Sequence, residues 1–272
     1  MTRFLPCLLA CAPLLACPSG GGTPGPSSFT VESHADPGFG DLPKKTVVFE
    51  IPLYAVSGVP DAKLLHAAHV MAQYLDNDED GTVDHPPAHD AMKDADAFLF
   101  MWSSEADFDR IDLPDDGWGQ DLGADETVPE WHADRSRRFD ASLEEVLHLV
   151  TAAGYAQAHP EVFGMEVESD LADAMDAARG GRFEQVPDSY PDGAWYSYDD
   201  RTCDYGCMVV EYHYWALTSL LGAQAERGDE IGAEWRAHTP ELMRSMDAEA
   251  TSILEDPAWA SPTRLPDGAY SP

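Results

Sequence analysis

Positive charge is scarce in this chain. Sixteen Lys and Arg stand against fifty Asp and Glu, a net charge of −34. Such a surface repels phosphate backbones and anionic lipid headgroups, which argues against nucleic acid as a partner. Long apolar runs are missing as well. The one near the start is too short to span a bilayer, so contact with a membrane has to come through an anchor. Cysteine is sparse: five in all, three of them within the first 17 residues. Only Cys203 and Cys207 remain for the folded part, and a metal site there would need two further ligands nearby. The spacing Cys203-Asp-Tyr-Gly-Cys207 predicts a small disulfide loop formed outside the cytoplasm. There is no G-x-S-x-G elbow, phosphate loop, dinucleotide fingerprint or internal repeat.

The first residues read as an export signal. Arg3 supplies the positive start, and a short apolar run follows, broken by Pro6 and Pro13. Leu14-Leu15-Ala16-Cys17 resembles the bacterial lipobox, whose cysteine carries the lipid. Leu8-Leu9-Ala10-Cys11 is a second match, but it leaves too little apolar segment before the cut. The expectation is a signal peptide over 1–17 with lipidation at Cys17. Pro18 follows in place of an acidic residue, which points to the outer membrane or cell surface. Residues 18–43 are rich in Gly, Pro and Ser and read as a flexible tether. A single domain is expected over 44–272.

What the chain has in abundance is acid, and one acidic run is ordered. Asp76-Asn77-Asp78-Glu79-Asp80-Gly81-Thr82-Val83-Asp84 resembles the calcium loops of the EF-hand family. The resemblance implies calcium ligands from Asp76, Asp78, Asp80, the Thr82 carbonyl and Asp84, with Gly81 at the sharp turn. Position 12 departs from the pattern: it is Pro87 rather than a bidentate glutamate, so Asp90 or Asp94 is the candidate to close the shell. The bland counterpart is an acidic solvated turn. Calcium here would clamp a loop.

Hydrophobic spacing gives the remaining elements. Thr46–Leu53 and Ala97–Trp102 read as strands, and Ala62–Leu75 has helical spacing. Residues 111–134 and 188–204 read as long loops, and helices are expected near 141–157, 167–179, 207–227 and 230–255. The fold class is α+β, helix-dominated, with a small sheet and a helix–calcium-loop–helix unit.

The stretch Leu143-Glu144-Glu145-Val146-Leu147-His148 lies in an apolar segment. On a helix, Glu144 and His148 share a face one turn apart, and Glu145 sits on a neighbouring edge. Later, Met208–Leu221 is nearly all apolar yet holds Glu211 and His213, which lie on opposite sides of a helix. A carboxylate in such a helix is costly unless paired or bound to a cation. The first stretch resembles the H-E-x-x-H helix of zinc metallopeptidases, with Glu144 in place of the first histidine. The resemblance, to the gluzincin branch in particular, implies Glu144, His148 and Glu211 as zinc ligands and Glu145 as the base that activates water. That branch often has an acidic residue four positions after the later glutamate, and here it is Trp215. Against this stands a purely structural reading. Ser142 and Glu145 could form a capping box, Glu144 could face water, and Glu211 could pair with Arg201 or Arg138.

Three weaker groups complete the set. His66 and His69 share the helix before the calcium loop and read as core or surface histidines. Tyr196 and Tyr198, beside Trp195, could pack, bind sugar or stabilise an oxyanion. A ferritin-like di-iron site needs E-x-x-H on two helices, and only one lies in a helical segment here. Taken together, the Tyr74–Gly81 run, the Leu143–His148 segment and Cys203–Cys207 leading into Glu211–Leu217 resemble a family of uncharacterised secreted proteins. The leading expectation is a lipid-anchored extracytoplasmic metallohydrolase, a peptidase acting on peptide or protein, stabilised by calcium. The alternative is a non-enzymatic calcium-binding surface module.

Overall fold

The computed structural model describes residues 29–272. The expected signal, the lipidation site Cys17 and the first part of the expected tether, 18–28, lie outside the described residues. The domain starts earlier than residue 44. Strand β1 (Glu32–Ser33) pairs antiparallel with β2 (Lys44–Val48), and Phe29 and Leu42 are buried. Phe39 stacks on Tyr54 with ring centroids 4.0 Å apart. These apolar anchors in a Gly/Pro-rich stretch make residues 29–43 part of the fold, not a tether.

The described residues form an α+β domain around one five-stranded sheet, in the order β1-β2-β3-β4-β5. The single strand expected over 46–53 is a hairpin. β2 turns back into β3 (Ile51–Ala55) through Phe49 and Glu50, both left-handed at φ 45° and 71°. A two-residue hairpin turn with positive φ at both positions is usually met by Asn-Gly, so Phe-Glu gives no turn signal. β4 (Phe98–Trp102) runs parallel to β3, and the edge strand β5 (Gly119–Gly123) runs parallel to β4. β5 falls inside the expected loop because Gly-Gln-Asp-Leu-Gly has no strand composition. It is held by its neighbour: Phe98 N–H donates to Trp118 and Ala124 N–H to Trp102 at its two ends.

Alternation sorts the sheet faces. Ile51, Leu53, Ala55, Leu99, Met101 and Leu122 are all at most 1% exposed. They form the layer under α1 (Asp61–Leu75) and α3 (Ser142–Leu149), while Tyr54, Phe98 and Phe100 pack with Phe39 on the opposite face. Between α1 and β4 comes α2 (Pro86–Asp94). α3 does not end at Leu149. It passes through a π-helical turn, Val150–Tyr155, before a last turn at Ala156–Ala158. Within that turn a side chain on Gly154 would meet the Ala88 carbonyl and Met92 at 3.2 Å, so glycine allows α2 to lie against it.

The longer of the remaining helices are α4 (Asp170–Arg179), α5 (Tyr205–Leu220), α6 (Pro240–Met246) and α7 (Ala248–Leu254). The long helix expected over 230–255 is broken by caps. Thr239 accepts from Leu242 N–H ahead of Pro240, and Asp247 accepts from Ala250 N–H. Asp247 also accepts from Tyr212 and Trp195, so this break is tied to α5. The expected helix over 207–227 stops at Leu220. The Cys203–Cys207 disulfide is formed at the start of α5. No helix among the described residues is long and apolar enough to cross a membrane.

Glu50 holds a left-handed conformation without glycine's freedom, at a cost of about 1 kcal/mol. Glu50→Gly should therefore raise unfolding stability by about 0.5–1 kcal/mol. Urea denaturation checks this, and a lower midpoint for the variant would show the turn to be unstrained.

Candidate metal centre

The first turn of α3 is fixed by groups outside it. Asp140, fully buried, accepts from the N–H of Val128 (2.9 Å) and Ser142 (3.3 Å) through Oδ1. Its Oδ2 accepts from Nε2 of His66 (2.6 Å) and of His132 (2.8 Å). Burial alone would favour the neutral acid, but the hydrogen bonds from His132 and His66 hold Asp140 below the usual aspartate range. Both imidazoles therefore donate to a carboxylate. The Tyr74 hydroxyl donates to the Leu143 carbonyl at 2.7 Å. The capping box suggested by Ser142 and Glu145 does not form: Ala141 is the cap residue, with no side-chain bond, and Ser142 Oγ is buried without a partner. Asp140 serves that helix start instead.

So positioned, α3 brings His148 against α5. Ligand atoms of Glu144, His148 and Glu211 all lie within 4.8 Å of one another. His148 is 6% exposed, and its Nε2 has no hydrogen-bond partner although Glu211 Oε2 lies 3.6 Å away. Its Nδ1 lies 3.3 Å from Glu145 Oε2, which also accepts from Gln120 Nε2 at 2.7 Å. Glu145 thus orients the imidazole from the side opposite Glu211, as carboxylates do behind metal-bound histidines. Tyr198 donates to Glu211 Oε1 at 3.1 Å.

Charge is poorly balanced here. Burial and the nearby charge of Glu211 push Glu144 up to about 8. Burial raises Glu211 as well. Burial works against a charge on His148, yet Glu211 and Glu145 hold it up to about 10. Three carboxylates thus face one imidazole. The arginines considered as partners for Glu211 are elsewhere: Arg201 pairs with Asp188, and Arg138 reaches Asp125.

Two clefts meet at this point. One, of about 920 Å³, is lined by His148, Glu145, Glu211 and the edge-strand residues Gln120 and Asp121. The other, of about 600 Å³, is lined by Glu144, Tyr198, Trp215 and Glu234. Burial, then the charge of Glu211, pushes Glu234 up to about 7. Asp121, raised by burial, accepts from Trp102 Nε1 at 2.9 Å. Asp121, Gln120 and Glu234 gave no sequence signal, since their loops and short strand carry no motif.

The acidic loop forms a turn around Asp76. Asp76 accepts from Asp80 N–H (3.1 Å), Gly81 N–H (2.8 Å) and the Tyr270 hydroxyl (2.5 Å). Gly81 supplies the positive φ of 87°. Ligand atoms of Asp76, Asp78 and Asp84 gather within 4.8 Å, and Asp80 accepts from Thr82 N–H. Asp90 does not join that group; it pairs with Lys93 at 2.8 Å, and Asp94 is not drawn in either. Instead the C-terminal segment wraps the loop. Asn77 Oδ1 accepts from the N–H of Thr263 and Arg264, and Gln73 Oε1 from those of Asp267 and Gly268.

The other expected groups separate. His213 is buried and stacks on Phe163, so it is a core histidine. Tyr196 is fully buried and donates to the Met208 carbonyl. His66 goes to Asp140, while His69 packs on Phe29. His132 and Asp140, joined to His66, form a third group of possible ligands that the sequence spacing does not connect. No family model, curated protein or solved structure matches the chain.

The depressed Asp140 carboxyl makes its contribution pH-dependent. A lowered folded pKa gives stability that is full above the ordinary aspartate value of 3.8 and is lost as pH falls toward the folded one. Asp140→Asn should cost about 2 kcal/mol at pH 7, and the gap to the parent should close below pH ~3.8. Denaturation midpoints from pH 7 to 2 test this; a constant gap would contradict it.

Proposed function

We propose that this protein is a metal-dependent hydrolase of peptide or related acyl bonds, with Glu144, His148 and Glu211 as zinc ligands. One observation carries the reading: His148 Nε2 is buried, unpartnered and directed at the Glu211 carboxylate, with Glu144 in the same group. A mixed oxygen and nitrogen donor set of this kind suits zinc. Zinc held there would supply Lewis-acid polarisation of the scissile carbonyl.

The chain's own groups have distinct tasks. Glu145 holds His148 through Oε2 on the Nδ1 side, and taking a proton from the attacking water would fall to its other oxygen, Oε1. The water oxygen bonds to the carbonyl carbon, the C–N bond breaks, and the proton passes to the leaving amine. Tyr198 keeps Glu211 in place. The edge strand β5 pairs with β4 on one side only, and an extended peptide can add as a strand beside the cleft. This favours a peptide over a compact substrate. Display outside the cytoplasm through Cys17 remains part of the proposal, and a paired Cys203–Cys207 accords with it.

Metal analysis of the full chain, purified without chelator, should find about one zinc. His148→Ala should lose it. Glu145→Gln should keep it and lower peptide hydrolysis by at least about a hundredfold. Full hydrolysis by Glu145→Gln would refute the assigned base. A chain holding calcium alone would point to the calcium-stabilised binding module.

Calcium in the Asp76–Asp84 loop is the second part of the proposal, supported by its ordered ligand spacing. The Tyr270 bond to Asp76 links that loop to the C-terminal segment. Calcium at a hundredfold over its Kd should stabilise the fold by about 2.7 kcal/mol. Thermal unfolding with and without a calcium-selective chelator should show that difference; identical curves would remove calcium from the proposal.

A further inference from the structure

The larger cleft at the candidate centre differs in charge from the others. Six carboxylates line it: Asp121, Glu145, Glu166, Glu184, Asp204 and Glu211. No Lys or Arg does. General acidity does not explain this, because each of the other four clefts described has Lys or Arg in its wall, namely Arg201 and Arg227, Lys93, Arg244, or Arg135 and Arg227, where this one has only the buried His148. Glu166 and Glu184 are exposed, and neither forms an ion pair among the described residues. A second, independent observation marks the cleft as a binding site: the unpartnered Nε2 of His148, a side chain 6% exposed that lines it. Trp118, Met165 and Val210 add apolar surface between the carboxylates.

We infer that the cleft selects a cationic peptide, one presenting Lys or Arg side chains to Glu166, Glu184 and Asp204 while its backbone lies against the His148 centre. This rests on the hydrolase reading for what happens to the peptide, but not for its binding. The physical basis is complementarity. Carboxylates focused in a concave wall attract an oppositely charged chain and repel an acidic one. A volume of about 920 Å³ exceeds what a single small cation fills and suits several residues of a peptide.

The test measures binding of three fluorescent dodecapeptides, Lys/Arg-rich, neutral and Glu-rich, to the full chain. Zinc is chelated and calcium retained, so that no turnover is needed. The cationic peptide should bind at least about tenfold more tightly than the neutral one, with an advantage that shrinks as salt rises. Glu166→Gln with Glu184→Gln should weaken that binding by roughly three- to tenfold. A control of equal charge, Glu241→Gln with Glu249→Gln, removes exposed carboxylates outside the cleft and should change binding by less than about twofold. Equal losses in the two double variants, or equal binding of cationic and neutral peptides, would overturn the inference. The two readings fail separately. Selective binding by a chain without zinc or hydrolysis sinks the hydrolase reading alone. Equal hydrolysis of cationic and neutral peptides, with equal binding, sinks the cleft inference alone.

Discussion

Three carboxylates enclosing one imidazole set the terms for the centre of this molecule. Glu144, Glu145 and Glu211 meet His148 where burial makes charge expensive. A single protonated histidine neutralises only part of that charge. Burying excess anions is tolerated where a cation completes the group, and is otherwise met by neutralising a carboxyl. The rise of Glu144 to about 8 without a metal is that second response. A divalent cation would remove the need for it. The arrangement therefore makes more physical sense as a binding site than as a structural ion-pair network. In such a network, the arginines would be expected at Glu211 rather than at Asp188 and Asp125.

The surrounding fold holds these groups together. α5 is apolar along most of its length, and its burial against α3 and α7 carries Glu211 inward. On the other side, α3 starts where Asp140 gathers two histidines and two backbone amides. A helix start held by one shared carboxylate has little freedom to slide or turn, which is what the proposed three-ligand centre would require. The π-helical turn directly after Leu149 lets the same helix change its packing face toward α2 within one turn. Such turns are rare and recur at functional sites.

The parts of this architecture legible in the sequence were those with strong local periodicity or spacing. α1, β4, α4 and the disulfide follow their patterns closely. Glu144 and His148 are one helical turn apart, so their shared face was legible too, and the rarity of acid in Met208–Leu221 singled out Glu211. Long-range contacts were not legible. Asp140 joins His66 and His132 across 74 and 8 residues, and nothing in their spacing marks the partnership. β5 became a strand through its neighbour rather than its composition. The Phe49-Glu50 turn was hidden because neither residue is a usual carrier of positive φ. That residues 29–43 join the fold was masked by Gly and Pro around a few aromatic anchors.

α1 connects the acidic loop to the start of α3. Its middle carries His66, bonded to Asp140, and its last turn carries Tyr74, bonded to the Leu143 carbonyl. Asp76 follows immediately and receives Tyr270 from the C-terminal segment. A helix of 15 residues spans this distance as one rigid element. The acidic loop is therefore not an appendage at the surface. Its turn sets where α1 ends, the C-terminal segment closes over that turn, and the same helix supplies two of the bonds that seat the helix of Glu144 and His148. Loosening the loop would release restraint at the first turn of α3 before it reached Glu144, His148 or Glu211 directly.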